Sequence, residues 1–287
     1  MKLRPTLLIP ILAIAVAACS SGGASPATTN QPSAASASVL PGAAASASPA
    51  AGGELTIYGA ASLKGALDKA KTDFEAANPG TTLTISTDSS SALATKIEQG
   101  APADVFLSAD TTNPKKLVDK GLAAGDPVTF AGNMLTVIVP ADNKAGIKTP
   151  ADLAKSGVKV IAAGDEVPIT KYATQLVANL AKEAGYPANF AAAYTANIAS
   201  KEDNVKAVVA KVELGEGDAG IVYVTDAKAS TKVATVPVPD TANVPATYAG
   251  LVVKASTDAA AAKAFLDWFA GPDGQTILSS FGFLPTP

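Results

Sequence analysis

Histidine is missing from all 287 residues, and cysteine occurs once, at Cys19. Without them the chain lacks the side chains that most often bind transition metals. The same absence removes Ser-His-Asp and Cys-His arrangements for nucleophilic hydrolysis. One cysteine allows no internal disulfide. Charged residues make up 16% of the chain, at a formal net charge of −3. No cluster of Lys and Arg stands out, so nothing in the sequence points to a nucleic-acid surface. Long apolar runs are scarce as well: beyond a short one near the N-terminus, none could span a bilayer.

That N-terminal run is the first positive signal. Lys2 and Arg4 precede the apolar stretch from Leu7 to Ala18, which is short and ends on small residues. This is the layout of a secretory signal peptide over residues 1–18. The closing Val16-Ala17-Ala18-Cys19 resembles the bacterial lipoprotein signal, with an ordinary signal peptide that ends near a cysteine as the alternative. A lone thiol is a liability in an oxidising compartment, and acylation of Cys19 accounts for it better. Each buried CH₂ of the attached chains would contribute about 0.8 kcal/mol to membrane attachment. Loss of Lys2 and Arg4 takes the net charge from −3 to −5.

Residues 19–53 form the next unit. From Ser20 to Gly53 there is no charged residue and little to bury, only Ala, Ser, Pro, Thr and Gly for the most part. Such a stretch cannot offset its ordering entropy, so a disordered tether reaching about 30 Å is expected. The fold then starts at Glu54, with about 235 residues, enough for two lobes.

From Glu54 onward, short apolar runs alternate with helical periodicity, the pattern of an α/β protein. Expected strands are Leu55–Tyr58, Thr82–Ser86, Val105–Ser108, Leu135–Val139, Lys159–Ala162, Gly220–Val224 and Gly250–Lys254. Leu63, Leu67, Ala70 and Phe74 recur at helical spacing until Asn78-Pro79-Gly80 stops them. Further helices open at Asn113-Pro114, Thr149-Pro150 (ending at Gly157), Thr170, Asn204, Thr257-Asp258 and Pro272.

Four helix starts carry little bulk: Ala60-Ala61-Ser62, Asp88-Ser89-Ser90-Ser91, Val167-Pro168-Ile169-Thr170 and Glu202-Asp203-Asn204-Val205. The first N–H groups of a helix lack intrahelical partners and sit at the positive end of its dipole, so each start can receive an anion. Simple N-capping is the competing reading for every one of them. Tyr223 closes a strand at the end where α/β folds bind ligands, although a strand tyrosine also serves as core. Gly215-Glu216-Gly217-Asp218-Ala219-Gly220 spells G-x-G-x-x-G, yet it follows a helix and precedes a strand, the wrong order for a dinucleotide site. Ser156-Gly157-Val158-Lys159 spells S-x-x-K, but its serine lies before a strand rather than at the start of a catalytic helix.

Taken together, Tyr58-Gly59-Ala60-Ala61-Ser62-Leu63, Ser89-Ser90-Ser91-Ala92-Leu93-Ala94, Gly100-Ala101-Pro102-Ala103-Asp104-Val105-Phe106-Leu107-Ser108-Ala109-Asp110, Gly164-Asp165 with Val167-Pro168, and Gly220-Ile221-Val222-Tyr223 resemble the molybdate-binding family of periplasmic solute receptors. The resemblance runs from Glu54 to Leu284. It implies a two-lobed α/β periplasmic binding protein of type II, with a hinge of two crossing strands and the ligand in the cleft between lobes. It places lobe 1 at residues 54–132 and 240–287 and lobe 2 at residues 133–239. It also implies five positions around the anion: Ser62 and Ser90 as hydroxyl-plus-amide donors, Ile169 and Val205 as backbone N–H donors, and Tyr223 as a phenol donor. The third segment is bulkier than the small residues often seen there, which makes Ile169 the departure from the pattern. Lys171 offers a rival cation contact; it is expected to point outward, because converging helix ends need no formal charge.

The resulting expectation is a bacterial receptor, lipid-anchored to the outer face of the cell membrane, with no cofactor and no catalysis. It would bind molybdate or tungstate as a monomer and deliver it to the permease of an ATP-driven importer. Three alternatives stay open: a receptor for sulfate or another oxyanion, a secreted serine hydrolase lacking any evident base, and a structural or adhesive lipoprotein with no internal ligand.

Overall fold

A computed structural model describes residues 53–286. The expected signal peptide, Cys19 and the body of the tether lie outside these residues. No described helix is long and apolar enough to cross a membrane.

In chain order the strands are β1 (Glu54–Ala60), β2 (Thr82–Asp88), β3 (Val105–Ser108), β4 (Val128–Asn133), β5 (Leu135–Pro140), β6 (Val160–Ala163), β7 (Ile198–Glu202), β8 (Ala219–Tyr223), β9 (Val233–Val236) and β10 (Ala246–Val252). The α-helices are α1 (Lys64–Ala77), α2 (Ser90–Glu98), α3 (Thr112–Asp119), α4 (Pro168–Leu180), α5 (Phe190–Ala196), α6 (Val205–Glu213), α7 (Val224–Lys228), α8 (Ala259–Ala270) and α9 (Pro272–Ser280). A single 3₁₀ turn, Ala61–Leu63, leads into α1.

The strands form two five-stranded sheets, ordered β2-β1-β3-β10-β4 and β7-β6-β8-β5-β9. Each repeats one plan. In the first, β1 runs parallel to β2 and β3 while β10 is antiparallel to β3 and β4. In the second, β6 runs parallel to β7 and β8 while β5 is antiparallel to β8 and β9. This is a two-lobed α/β architecture of the type II periplasmic binding-protein kind.

Central strands are covered on both faces, which explains their unbroken apolar sequences. All four residues of β3, Val-Phe-Leu-Ser, are buried. On one side of the first sheet, Leu55 and Ile57 pack with Leu67, Phe74, Phe265 and Phe269. On the other, Phe106 meets Leu93, Ile97 and Leu117 of α2 and α3. Each large side chain buried this way contributes about 1.5–3 kcal/mol.

The chain passes between sheets twice, at Asn133–Leu135 and again between Val236 and Ala246. The side-chain amide of Asn243 ties the two crossings together. Its Nδ2 donates to the Leu135 carbonyl at 2.9 Å, and its Oδ1 accepts the Leu135 N–H at 3.1 Å.

Some elements depart from the sequence reading. Thr149-Pro150 opens only a 3₁₀ segment, Pro150–Ala154, not a helix reaching Gly157. The last strand begins at Ala246 rather than Gly250. The Gly-rich stretch does follow α6 and runs into β8, whose first two residues, Ala219 and Gly220, belong to it. Its glycines serve packing: a Cβ on Gly217 would lie 2.4 Å from Ile161 Cγ1, and one on Gly220 would lie 3.0 Å from the Ile161 carbonyl oxygen.

Candidate functional site

Four helix starts meet at one cavity. Its wall is made by Ala60, Ala61 and Ser62 before α1, Ser89 and Ser90 at α2, Val167, Pro168 and Ile169 at α4, and Val205 at α6, with Ala109 and Tyr223 completing it. All five positions singled out from the sequence are therefore gathered here, and no lining residue carries a charge. Lys171 is exposed and is not among them.

The capping pattern decides which backbone donors each helix has to offer. Ser89 caps α2, its Oγ accepting the Ala92 N–H at 3.3 Å. Asn204, not Asp203, caps α6, its Oδ1 accepting the Ala207 N–H at 3.1 Å. Both caps occupy the third N–H of the helix and leave the first, on Ser90 and Val205, without an intrahelical partner. In α4 the first helical residue is Pro168, which has no N–H, so Ile169 supplies the first donor. The bulk of Ile169 is immaterial to that role, because the backbone provides the proton. Each helix start carries roughly half a positive charge, so four together approximate the countercharge of a dianion.

Three hydroxyls complete the donor set. Ser90 Oγ accepts the Ala109 N–H at 3.0 Å. Ser62 Oγ lies 2.9 Å from the Tyr248 hydroxyl. Tyr223 ends β8 opposite Leu135, the residue that follows the first crossing. It is 1% exposed, and its hydroxyl has no hydrogen-bond partner among the described residues. Buried polar groups are nearly always paired, so an orphaned phenol in a cavity wall marks a donor waiting for an acceptor. Burial, reinforced by the neighbouring Tyr248, Tyr172 and two carboxylates, holds Tyr223 well above the usual phenol range, so it stays protonated.

Three carboxylates stand nearby, each held by other groups. The fully buried Asp226, three residues beyond Tyr223, pairs with Lys206 at 3.1 Å. Asp110 Oδ1 accepts from Ser108 Oγ at 2.9 Å and from the Asn113 N–H at 3.0 Å, at the start of α3. Asp88 accepts the Ser89 N–H at 2.8 Å and pairs with Lys96. It also accepts from Asn204 Nδ2 at 3.3 Å, a bridge from the first sheet's side of the cleft to the second. A larger hollow of about 270 Å³ lies along α4 and α5, but its wall is mostly Ala, Val, Ile and Thr and gathers no comparable set of donors. Chemistry, not size, selects the smaller cavity.

The family model described as bacterial extracellular solute-binding protein matches residues 55–284. The molybdate-binding protein ModA of Mycobacterium tuberculosis is 36% identical over 230 residues, covering 80% of this chain and 84% of that protein. The chain belongs to the molybdate-binding family of extracytoplasmic solute-binding proteins. That family transports solutes and is not catalytic. Among solved structures, the periplasmic molybdate-binding protein of Azotobacter vinelandii superposes with a TM-score of 0.69 at 24% identity, over 81% of this chain and all of that one. The sulfate-binding protein SubI of M. tuberculosis gives 0.72 at 21% identity, over 81% and 86%. Both share the fold of this solute-binding protein, and at those identities they speak to fold alone.

Several residues of the candidate site stand apart from the five positions marked by the sequence. Ala109 lies in the Gly100–Asp110 stretch, beyond its Gly-Ala-Pro-Ala-Asp start, and its role is carried by a backbone N–H that no side chain advertises. Tyr248 and Asn133 lie in β10 and β4, outside every strand expected from the apolar pattern.

Proposed function

We propose that this protein captures molybdate, and tungstate as well, between its lobes and delivers it to the permease of an ATP-driven importer. Ser62, Ser90, Ile169, Val205 and Tyr223 are its donors to the anion. One observation carries the reading: a cavity without charge, walled by four helix starts and by a buried phenol with no partner. Sulfate is the second reading, because it presents the same hydrogen-bonding pattern as molybdate to a wall of donors without charge. Titration of molybdate and sulfate into purified residues 54–287 by calorimetry tests the choice. Tight molybdate binding supports the proposal, and preference for sulfate rejects it.

The lobes of this reading are residues 54–132 with 240–287, and residues 133–239, closing over the anion in a monomer. A lipid on Cys19 holds the receptor at the outer face of the cell membrane. Cys19→Ala is expected to move the protein from the membrane fraction to soluble or uncleaved forms, as read by fractionation and mass spectrometry. A variant that stayed in the membrane as a diacylated protein would remove the anchor.

The site also has a pH signature. With no histidine in the sequence, nothing in it titrates near neutrality in the ordinary way. The phenols of Tyr223 and Tyr248 are both raised by burial, and that of Tyr172 is pushed up to about 12. Ionisation of Tyr223 would remove a donor and set a negative charge beside the anion, so affinity falls only as pH rises past the ordinary phenol value. Molybdate affinity is therefore expected to stay flat from about pH 6 to about pH 9. Calorimetry in several buffers checks this, and a midpoint near neutrality would contradict it.

A further inference from the structure

Ser62 could in principle face an anion as donor or acceptor, and its neighbours decide which. Its Oγ lies 2.9 Å from the hydroxyl of Tyr248, a residue that is fully buried and does not line the cavity. Asn133, 1% exposed, stands behind Tyr248. The Asn133 Oδ1 accepts the Met134 N–H at 3.0 Å, which fixes the amide so that its Nδ2 points the other way. That Nδ2 donates to Thr225 Oγ1 at 2.9 Å and towards the Tyr248 hydroxyl at 3.4 Å. An NH₂ group offers Tyr248 no lone pair. Among the described residues, the remaining hydrogen-bond partner of the Tyr248 hydroxyl is Ser62 Oγ. A fully buried phenol proton must find an acceptor or cost its desolvation, so Tyr248 donates to Ser62. The proton of Ser62 is then free for the cavity. Ser90 is set in the same sense by the Ala109 N–H.

We infer that the chain Asn133 to Tyr248 to Ser62 fixes Ser62 as an obligate donor, making Tyr248 a positioning residue that sets the site's discrimination against protonated oxyanions. A branch of the network crosses the cleft: Asn133, in the first sheet, donates to Thr225 at the start of α7, two residues beyond Tyr223, and the rings of Tyr223 and Tyr248 meet edge-on at 5.7 Å.

The inference rests on the oxyanion reading, and the experiment separates the two. Molybdate, tungstate, sulfate and hydrogen phosphate are titrated into the wild type and Tyr248→Phe at fixed pH and salt. A wild type that binds none of the four defeats the oxyanion reading itself. With a binding wild type, Tyr248→Phe should weaken molybdate about three- to tenfold, the loss of one neutral hydrogen bond. Hydrogen phosphate should hold or tighten, because Ser62, no longer oriented by Tyr248, can turn its oxygen to accept that proton. The phosphate-to-molybdate ratio of Kd should therefore shrink by about threefold or more. A purely structural role weakens every anion alike, and an unchanged ratio overturns the inference. Should the variant fail to fold, proton NMR of the wild type decides. A slowly exchanging Tyr248 hydroxyl with cross-peaks to the Ser62 Cβ protons supports the chain, and a Ser62 hydroxyl directed at the Tyr248 ring overturns it.

Discussion

Tyr223→Phe is expected to weaken molybdate binding by one to two decades while leaving the unliganded protein as stable as before, or more so. The phenol oxygen is buried without a partner, so in the free protein its removal costs no hydrogen bond and relieves a desolvated polar group. In the complex the same hydroxyl would donate to a charged acceptor, worth about 1.5–3 kcal/mol. Affinity and stability thus move in opposite senses, the mark of a group kept for function. Ser90→Ala makes the contrast. Its oxygen accepts the Ala109 N–H, and deletion leaves that buried donor unpaired, so affinity and melting temperature should fall together. Lys171→Ala should change little, because its side chain is exposed and away from the cavity. Calorimetry and thermal melts of the three variants read these differences. If Lys171→Ala proved the most damaging, the uncharged donor site would be wrong.

What the sequence disclosed follows how strongly each element is buried. β1, β3, β5, β6 and β8 are interior strands, and their apolar runs were visible in the sequence. β4, β7 and β9, which were not, all lie at sheet edges. β7 reads Ile-Ala-Ser-Lys-Glu and has no buried residue, so it lacks the pattern by which strands are recognised. The candidate site was legible for a different reason. Helix starts announce themselves through Ser, Asn and Pro, and family resemblance supplied the order in which four of them belong together. Their convergence was not legible, since it depends on two sheets folded about crossings at Asn133–Leu135 and between Val236 and Ala246. The supporting layer was less visible still. Asn243, which ties the crossings, and Tyr248, which holds Ser62, act through contacts at sequence separations above one hundred. No local pattern encodes such pairs. Glu202-Asp203-Asn204 offers more than one capping side chain before α6, and which of them caps, Asn204, is a one-residue choice that composition does not resolve.

Molybdate and tungstate are expected to bind together at the top of the affinity order, with sulfate far behind and phosphate last, about ten-thousandfold weaker than molybdate. Molybdate, tungstate and sulfate are fully deprotonated dianions near neutrality and can only accept hydrogen bonds. Phosphate retains a proton there and needs an acceptor to receive it. The cavity wall has no carboxylate, and Asp88 and Asp110 spend their oxygens on the starts of α2 and α3 and on Lys96 and Asn204. A phosphate proton would therefore find only hydroxyl oxygens, and a hydroxyl that turns to accept it no longer donates to the anion; sites built on fixed hydrogen-bond polarity reject such mismatches by about ten-thousandfold. Sulfate presents the same polarity as molybdate, so only size can exclude it. A smaller anion cannot reach donors fixed on four separate helix starts and on Tyr223 at once. Leaving one or two of them unmet costs about 1.5–3 kcal/mol each, and two would put sulfate about two to four decades behind. Competition is the sharpest measurement: protein loaded with molybdate is challenged with each anion in excess, and displacement is followed by calorimetry or bound-metal analysis. Displacement by phosphate at concentrations comparable to molybdate would refute a donor-only site. Displacement by sulfate alone would keep that site and reassign its ligand, because polarity would then be right and the fixed spacing of the donors would favour the smaller ion.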